Sequence, residues 1–206
     1  MRQVIIATRN KNKKKEIEKL FKGFKAKVSS LYDVKIHLPH VIENGETFRQ
    51  NAIKKALTFS RYIDGIILAD DSGLVVEALG GKPGVRSSRF AHTKATDREN
   101  NEKLLKLMQK VPARERQATF VCVIAIAENG NLKGLSEGQC KGTIGFEAKG
   151  KGGFGYDPLF TPKGYNRTFA QFATLSKNRI SHRGKALRQA KTIVQKHLLE
   201  AGRTRP

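Results

Sequence analysis

Two adjacent carboxylates, Asp70 and Asp71, follow an apolar run at 65–69 that has the composition of a buried strand. Burying two like charges side by side raises the pKa of at least one of them unless a cation or hydrogen-bond donors compensate. Such pairs are typical of sites that bind metal ions or transfer protons. The alternative is a solvated turn, in which Asp and Ser side chains bond the local backbone. The sequence therefore predicts either a catalytic carboxylate pair or a polar turn where this strand ends.

A second group of candidate residues lies near the N-terminus, where a short apolar strand at 2–7 leads through residues 8–13 into a helical pattern. The apolar face of that helix comprises Ile17, Leu20, Phe21 and Phe24. Unpaired backbone N–H groups and the positive end of the helix dipole favour an anion at a helix start, and Thr8, Asn10 and Lys13 add side-chain donors. The glycines of a Walker loop are missing. We expect a phosphate-binding loop, with a solvated basic helix start as the alternative.

A glycine-rich loop at 149–157 is the third candidate. Its glycines let the backbone approach a ligand closely, and Phe154 and Tyr156 offer flat aromatic faces. The spacing Gly150-x-Gly152-x-x-Gly155 matches a dinucleotide fingerprint, but the loop runs into Tyr-Asp-Pro rather than into a helix. It therefore carries little weight as a Rossmann signal.

The fourth candidate lies at the start of the last predicted helix, where Ser181 is suited to cap the helix and His182 and Arg183 fall in its first turn. Cations are slightly disfavoured at this end of a helix, so their placement indicates a use. A histidine that serves only the structure is the alternative.

Strands and helices alternate along the chain between these candidates. The segment Thr47-Phe48-Arg49-Gln50 has the form of a capping box and opens a helix with Phe48, Ala52, Ala56 and Phe59 on one side. Apolar periodicity predicts further helices at 96–109 and 182–201, and strands at 118–127 and 132–141 joined by a hairpin at Asn129-Gly130.

Length and composition set further bounds. A chain of 206 residues can form one domain, here expected over residues 1–201, with a frayed tail at 202–206. Cys122 and Cys140 are too few for a disulfide framework. No segment has the ~20 apolar residues of a membrane span, and the N-terminus lacks the pattern of a signal peptide, so we expect a cytoplasmic protein.

A series of segments with fixed order and spacing carries a resemblance to a known family. They are 8–13 followed by Glu16, 43–52 with Lys55 and Ala56, 69–74, 79–84 with Ser88 and Arg89, 152–158, and 181–183. From about residue 4 to about residue 190 they resemble the inosine triphosphate pyrophosphatase family, whose members are also called non-canonical purine nucleoside triphosphate pyrophosphatases. No single segment is sufficient to identify the family, but the six segments together, in this order and spacing, are specific for it.

The resemblance implies an elongated, two-lobed α/β fold around a central mixed β-sheet with flanking helices, and an active site in the cleft between the lobes. It also implies a homodimer that binds a purine nucleoside triphosphate with Mg²⁺. The family cleaves ITP, dITP and XTP between the α- and β-phosphates and releases a nucleoside monophosphate and pyrophosphate. Such an enzyme would keep these nucleotides out of DNA and RNA.

The resemblance also implies roles for residues. Asp71 would be the general base that activates water, and the metal would be held by Glu43, Asp70 and Asp71. The triphosphate would be bound by Thr8, Arg9, Asn10, Lys11, Asn12, Lys13, Lys55 and Lys177. The sugar and base would be held by Ser72, Phe154, Gly155, Tyr156, Asp157, His182 and Arg183. The residue types suit these roles. Carboxylates are hard ligands for Mg²⁺. Hydrogen-bond donors from His182 and Arg183 match the 6-oxo group of a purine but not the amino group of adenine.

Two other functions remain open. The net charge of +22, from 40 basic and 18 acidic side chains, is more than one nucleotide needs and favours a nucleic-acid-binding module. Against that, the basic residues are scattered, Trp is absent and Tyr numbers four, so no specific nucleic acid is expected as a partner. A related pyrophosphatase for modified pyrimidine nucleotides is the other alternative.

Overall fold

The structure is a computed structural model that describes residues 3–8, 10–21, 26–34 and 36–203, without the side chains of residues 11, 20 and 201–203. The strands are β1 (Gln3–Ile6), β2 (Lys27–Ser30), β3 (Ile66–Val76), β4 (Gln117–Glu128), β5 (Asn131–Ile144) and β6 (Phe160–Pro162). The helices are α1 (Lys11–Phe21), α2 (Phe48–Phe59), α3 (Asp97–Leu107), α4 (Thr174–Ile180) and α5 (His182–Arg203).

The strands form a six-stranded sheet in the order β2-β1-β3-β4-β5-β6. β1 pairs in parallel with both β2 and β3, whereas β5 and β6 are antiparallel, so the sheet is mixed and the predicted α/β class is confirmed. The chain passes from β1 through α1 to β2 on one side, and then through α2 to β3 on the other. The carboxyl end of β1 is therefore a topological switch point, the place where open α/β sheets bind ligands.

The chain folds into two compact units. Unit 1 comprises Met1–Asp71, Cys122–Gly138 and Gly184–Pro206, and unit 2 comprises Ser72–Val121 and Gln139–Arg183. The chain passes from unit 1 to unit 2 in the middle of β3, between Asp71 and Ser72. The predicted cleft between lobes stays a prediction.

The core of unit 1 packs β1 and β3 against the apolar faces of α1 and α5. Ile17 and Phe21 of α1 are buried, as the helical spacing predicts, whereas Phe24 and the side chain of Leu20 lie outside the described residues. The buried face of α5 consists of Ala186, Leu187, Ala190 and Val194. Burying a large apolar side chain contributes ~1.5–3 kcal/mol, so these faces hold both helices on the sheet.

The core of unit 2 is aromatic. The ring centroid of Phe120 lies 4.7 Å from that of Phe160 and 6.0 Å from that of Phe169. Leu104 and Met108, at the carboxyl-terminal end of α3, are fully buried in the same cluster. This packing fixes the position of α3 within unit 2.

β3 continues past the carboxylate pair, so the prediction that the strand ends there is wrong. Leu74 and Val76 are fully buried in the core of unit 2, and this alternation of buried side chains extends the strand to Val76. Asp70 and Asp71 are 4% and 6% exposed, which excludes a solvated turn.

Capping boxes begin α2 and α3. At α2, Thr47 Oγ1 accepts from the Gln50 N–H at 3.1 Å and Gln50 Oε1 accepts from the Thr47 N–H at 3.1 Å, which confirms the prediction. At α3, Thr96 and Glu99 form the same pair of bonds. The backbone and hydroxyl donors of Thr96, with His92, lower the pKa of Glu99 to about 2.

The predicted hairpin is also present, with φ of 51° at Asn129 and 73° at Gly130, the positive values that a two-residue turn between strands requires. The helix α4 was not predicted, because seven residues are too short to show a helical repeat. The last helix extends to Arg203, so residues 202 and 203 of the predicted tail are helical, and 204–206 lie outside the described residues.

A buried arginine ties α3 to β5. Arg116 is 2% exposed and donates to the backbone carbonyls of Ile144 at 2.8 Å, Met108 at 2.7 Å, Val111 at 3.1 Å and Gly145 at 2.7 Å. These carbonyls satisfy a cation that would otherwise be costly to bury.

Cys122 and Cys140 are free thiols, and both are buried. Among the described helices, none has the length and apolarity required to cross a lipid bilayer.

Candidate active site

The segment after β1 forms the start of α1. Asn10 Oδ1 accepts from the N–H groups of Asn12 at 2.9 Å and Lys13 at 3.1 Å, and Thr8 Oγ1 accepts from the Asn10 N–H at 3.2 Å. These side chains shape the first turn, whose positive end favours an anion. Arg9 and the side chain of Lys11, both predicted to bind the triphosphate, lie outside the described residues.

Asp70 forms an ion pair with α1. Lys13 Nζ lies 2.8 Å from Asp70 Oδ2, and the two side chains are 16% and 3% exposed. The pairing follows from the parallel register, in which Ile6 of β1 lies beside Leu68 of β3 and the Ala7 N–H donates to the Leu68 carbonyl at 2.8 Å. The start of α1 and the carboxylate pair therefore meet at the switch point.

Asp71 is bonded instead to α2. Asn51 Nδ2 donates to Asp71 Oδ2 at 3.0 Å, and Lys55 Nζ lies 4.0 Å from Asp71 Oδ1. Burial raises the pKa of Asp71 to about 6, and the charge of Glu43 adds to the rise. The charges of Lys55 and Lys13 and the hydrogen bond from Asn51 lower the pKa, but they do not outweigh the burial. A carboxylate with a pKa near neutrality is suited to accept a proton.

Lys55 joins three acidic residues. Its Nζ donates to Glu43 Oε2 at 2.8 Å and to the Asp70 carbonyl at 2.6 Å, beside Asp71. Burial alone would lower the pKa of Lys55, but the charges of Asp70, Asp71 and Glu43 outweigh it and raise the pKa. The three carboxylates therefore favour the ammonium form of Lys55. We call Glu43, Asp70 and Asp71 the carboxylate cluster.

In unit 2, a buried ion pair lies under the glycine-rich loop. Lys177 Nζ lies 2.6 Å from Asp157 Oδ2, with side-chain exposures of 5% and 3%. The same Oδ2 accepts from the Phe154 N–H at 2.9 Å, and Lys177 Nζ lies 4.9 Å from the centroid of the Phe154 ring. A side chain added at Gly153, where φ is 72°, would collide with the Asp157 carboxylate.

Arg183 and His182 lie at the same end of unit 2. Arg183 Nη2 donates to Ser72 Oγ at 2.8 Å, and its guanidinium lies 5.3 Å from the Phe154 ring centroid. The His182 ring stacks on Phe120 with centroids 4.6 Å apart and planes 7° apart. The ring of Phe120 therefore sets the plane in which His182 presents its nitrogen atoms.

Tyr156 has a different position from Phe154. It is 4% exposed within the aromatic core, and its hydroxyl donates to the Ser87 carbonyl at 2.8 Å. Burial raises its pKa above the usual value, and the charge of Asp97 adds to this. The expected exposed face of Tyr156 is therefore absent, and Phe154 alone of the two rings lies beside the cationic groups described above.

The sequence matches the profile of one protein family over residues 4–193. The chain belongs to the Ham1 family. It is 48% identical over 194 residues to the dITP/XTP pyrophosphatase of Desulforamulus reducens, covering 94% of this chain and 96% of that protein. It is 45% identical over 201 residues to the dITP/XTP pyrophosphatase of Caldanaerobacter subterraneus subsp. tengcongensis, covering 97% and 100%. A solved HAM1 protein from Coxiella burnetii matches the fold with a TM-score of 0.86 at 38% identity, covering 95% of this chain and 100% of that chain.

In this Ham1 family protein the predicted site residues form two groups. Unit 1 brings together the start of α1, Lys55 and the carboxylate cluster. Unit 2 brings together Ser72, Phe154, Asp157, Lys177 and Arg183. Lys177, which the resemblance assigns to the triphosphate, lies in the unit 2 group and is paired there with Asp157.

The Ham1 chain contains acidic groups suited to a hard metal ion, but no ready-made ligand set. Among the described residues, no three His, Cys, Asp or Glu side chains are grouped so that they could hold an ion together. Mg²⁺ commonly takes only one or two carboxylates, and the rest of its ligands are waters and phosphate oxygens of the substrate. The donor chemistry of the carboxylate cluster therefore fits Mg²⁺ when a triphosphate supplies the other ligands.

Sequence reasoning missed Asn51, Phe120 and Asp97. Asn51 has a signal in retrospect, because it lies four residues before Lys55 on the same face of α2. Phe120 and Asp97 contact the site only through the tertiary fold, and their sequence neighbourhoods carry no comparable signal.

Proposed function

We propose that this chain hydrolyses purine nucleoside triphosphates such as ITP, dITP and XTP between the α- and β-phosphates, releasing a nucleoside monophosphate and pyrophosphate. The observation that carries the proposal is Asp71, a buried carboxylate with a pKa of about 6 that lies 4.0 Å from Lys55 of α2 and next to the Asp70–Lys13 pair at the switch point of the sheet. Curated relatives 45–48% identical over nearly the whole chain have the name dITP/XTP pyrophosphatase.

Asp71 would act as the general base. Its Oδ2 accepts a hydrogen bond from Asn51, which restrains the orientation of the carboxylate. A base with a pKa near the working pH can take a proton from water as the water attacks phosphorus, and such a group typically contributes ~10²–10⁴-fold in rate. Burial supplies the raised pKa, so the same feature that makes the site costly to fold makes it reactive.

The triphosphate would be bound by the start of α1 with Lys13 and Lys55. Lys13 is already paired with Asp70, and Lys55 with Glu43. A bound triphosphate brings several negative charges, which these ammonium groups would neutralise together with the helix dipole. Thr8 and Asn10, whose side-chain oxygens accept from the backbone N–H groups of this turn, would hold it in shape, and Asn12 would add a donor to the phosphates.

Mg²⁺, when bound, would neutralise phosphate charge and orient the attacking water. We propose that one or two carboxylates of the cluster formed by Asp70, Asp71 and Glu43 would hold it, with waters and phosphate oxygens as its other ligands. The pKa of Asp71 stays raised despite two nearby lysines, so an added cation would be favourable at this position.

The base would be recognised in unit 2. The Arg183 guanidinium, held by Ser72 and facing the Phe154 ring, and the stacked His182 ring supply donors for the 6-oxo group of hypoxanthine or xanthine. Adenine carries an amino donor at that position and would leave these donors unpaired. Because the Lys177–Asp157 pair lies in unit 2 beside the Phe154 ring, we assign both residues to supporting this base-binding end, together with Phe154 and Gly155.

From the family resemblance we also propose a homodimer that acts in the cytoplasm, where the nucleotide pool is used. Size-exclusion chromatography with light scattering tests the homodimer, and fractionation of the native cells tests the location.

Product analysis tests the function directly. The purified protein is incubated with ITP and MgCl₂, and the products are separated by anion exchange. We expect IMP and pyrophosphate in equal amounts, and no reaction in EDTA. Orthophosphate or a nucleoside diphosphate as the first product would contradict the proposal. A parallel panel of modified pyrimidine triphosphates separates the related pyrophosphatase function, because those substrates should react far more slowly than ITP.

A further inference from the structure

The helix α3 holds both peptide groups that flank Gly155. Asp97 Oδ2 accepts from the Gly155 N–H at 2.7 Å, and Asn101 Nδ2 donates to the Gly155 carbonyl at 2.9 Å. Asp97 and Asn101 are four residues apart, so they lie on the same face of the helix. Gly155 has a φ of 61°, a conformation that other residues seldom adopt. The helix therefore fixes a specialised backbone position.

This position determines where Phe154 lies. The Phe154 N–H is bonded to Asp157 on one side, and the Gly155 peptide is bonded to α3 on the other. On the far side of Gly155, Tyr156 is anchored in the core through its hydroxyl. The Phe154 backbone is thus held at both ends, and its ring is placed against the charges of Lys177 and Arg183.

We propose that Asp97 and Asn101 are positioning residues for base recognition. By holding both peptide groups of Gly155 they set the orientation of Phe154, and through it the position of Arg183 toward the purine. They act without contact to the substrate and take no part in proton transfer. The proposal rests on the proposed function, because it concerns selectivity among purine triphosphates.

The chain offers a matched control for this role. Glu99 lies in the same first turn of α3 as Asp97, but it bonds Thr96 and His92. Asp97→Ala and Glu99→Ala each remove one carboxylate from the same helix end, and Glu99→Ala also removes the capping box. A role that depended only on helix stability would therefore be affected at least as strongly by Glu99→Ala.

The first measurement uses the ligand-free protein. Amide hydrogen exchange of Gly155 is followed by NMR and compared with that of Leu74, whose N–H is bonded to Ser87 in the core of unit 2. Relative to Leu74, Gly155 should exchange about fivefold faster or more in Asp97→Ala, the factor expected for the loss of one ordinary hydrogen bond. Asp97→Asn retains an acceptor and should stay near the wild type, and Glu99→Ala should leave the ratio unchanged.

The second measurement is selectivity. The ratio of kcat/KM for ITP to that for ATP should fall about fivefold in Asp97→Ala and in Asn101→Ala, and Asp97→Asn should restore most of it. Glu99→Ala should keep the wild-type ratio. Unchanged Gly155 exchange in Asp97→Ala, or an equal loss of selectivity in Glu99→Ala, overturns the proposal.

The two failures can be told apart. A wild-type protein with no preference for ITP overturns the proposed function and the selectivity role together. A selective wild type whose Asp97→Ala variant shows fast Gly155 exchange but full selectivity overturns the positioning role alone.

Discussion

Asp70 and Asp71 are consecutive on β3, yet their carboxylates are paired with different helices. Asp70 Oδ2 lies 2.8 Å from Lys13 Nζ of α1, whereas Asp71 Oδ2 accepts from Asn51 of α2 at 3.0 Å. Alternate residues of a strand point to opposite faces, which explains the division. Asp71 has a neutral donor at close range and its lysine only at 4.0 Å, so its burial is less well compensated. Two identical side chains thereby acquire different chemistry.

Replacing the base should stop catalysis but spare binding. Asp71→Asn keeps the shape of the side chain and removes the proton acceptor, so kcat for ITP should fall by ~10²–10⁴. Nucleotide affinity, measured by calorimetry with a non-hydrolysable ITP analogue, should change little, because a general base acts in the transition state. Equal losses in rate and affinity would show that Asp71 serves mainly as a metal ligand.

The same variant should stabilise the metal-free protein at neutral and alkaline pH. The pKa of Asp71 is raised from 3.8 to about 6 in the folded protein, because the buried side chain is more stable when it is protonated. The contribution of Asp71 to the free energy of unfolding is therefore fully present below pH 3.8 and is lost as the pH rises through 6. Asp71→Asn should therefore raise the free energy of unfolding by ~1–3 kcal/mol at pH 8, with the gain shrinking toward pH 4. Urea unfolding in EDTA across this range measures it. A gain that does not depend on pH would contradict the raised pKa.

The buried pair of Lys177 and Asp157 should be costly to break from one side. Lys177→Met leaves a buried carboxylate without its cation and should lower the free energy of unfolding by ~3–5 kcal/mol. The double variant with Asp157→Asn removes the stranded charge and should recover part of the loss. Lys196→Met is the control, because its pair with Glu200 is 78% and 61% exposed and contributes about 0–1 kcal/mol. If the free energy of unfolding of the double variant falls by the sum of the two single losses, the two residues are not energetically coupled and the prediction is wrong.

Arg183 should determine preference for 6-oxo purines. In the wild type, kcat/KM for ITP should exceed that for ATP by at least ~100-fold. Arg183→Ala should lower kcat/KM for ITP by ~10–100-fold, the range for losing a charged hydrogen bond, with a smaller effect on ATP. Steady-state kinetics on both substrates test this, with Arg188→Ala on the exposed side of α5 as the control. Parallel losses for ITP and ATP would place Arg183 outside base recognition.

The sequence was most informative where local rules decide the structure. The capping box at Thr47, the hairpin at Asn129 and the apolar face of α5 each depend on neighbours a few residues away, and all are confirmed. The motif series also led to the right family.

It was least informative where contacts join distant segments. The continuation of β3 depends on Leu74 and Val76 entering a second core that no local pattern reveals. The pairing of Lys177 with Asp157 joins residues 20 positions apart, and that of Asp97 with Gly155 joins residues 58 apart. What each of these side chains does depends on the group that it bonds in the folded protein, so the residue type alone could not predict its role.

Arg116 has a consequence for how unit 2 folds. Its guanidinium is satisfied by carbonyls 5 and 8 residues before it and by others 28 and 29 residues after it. A partly folded chain that buried this cation with only one set of carbonyls would leave donors without acceptors, at a cost of several kcal/mol. Intermediates with half the unit assembled are therefore disfavoured, and the end of α3 and the end of β5 should form in a single cooperative step.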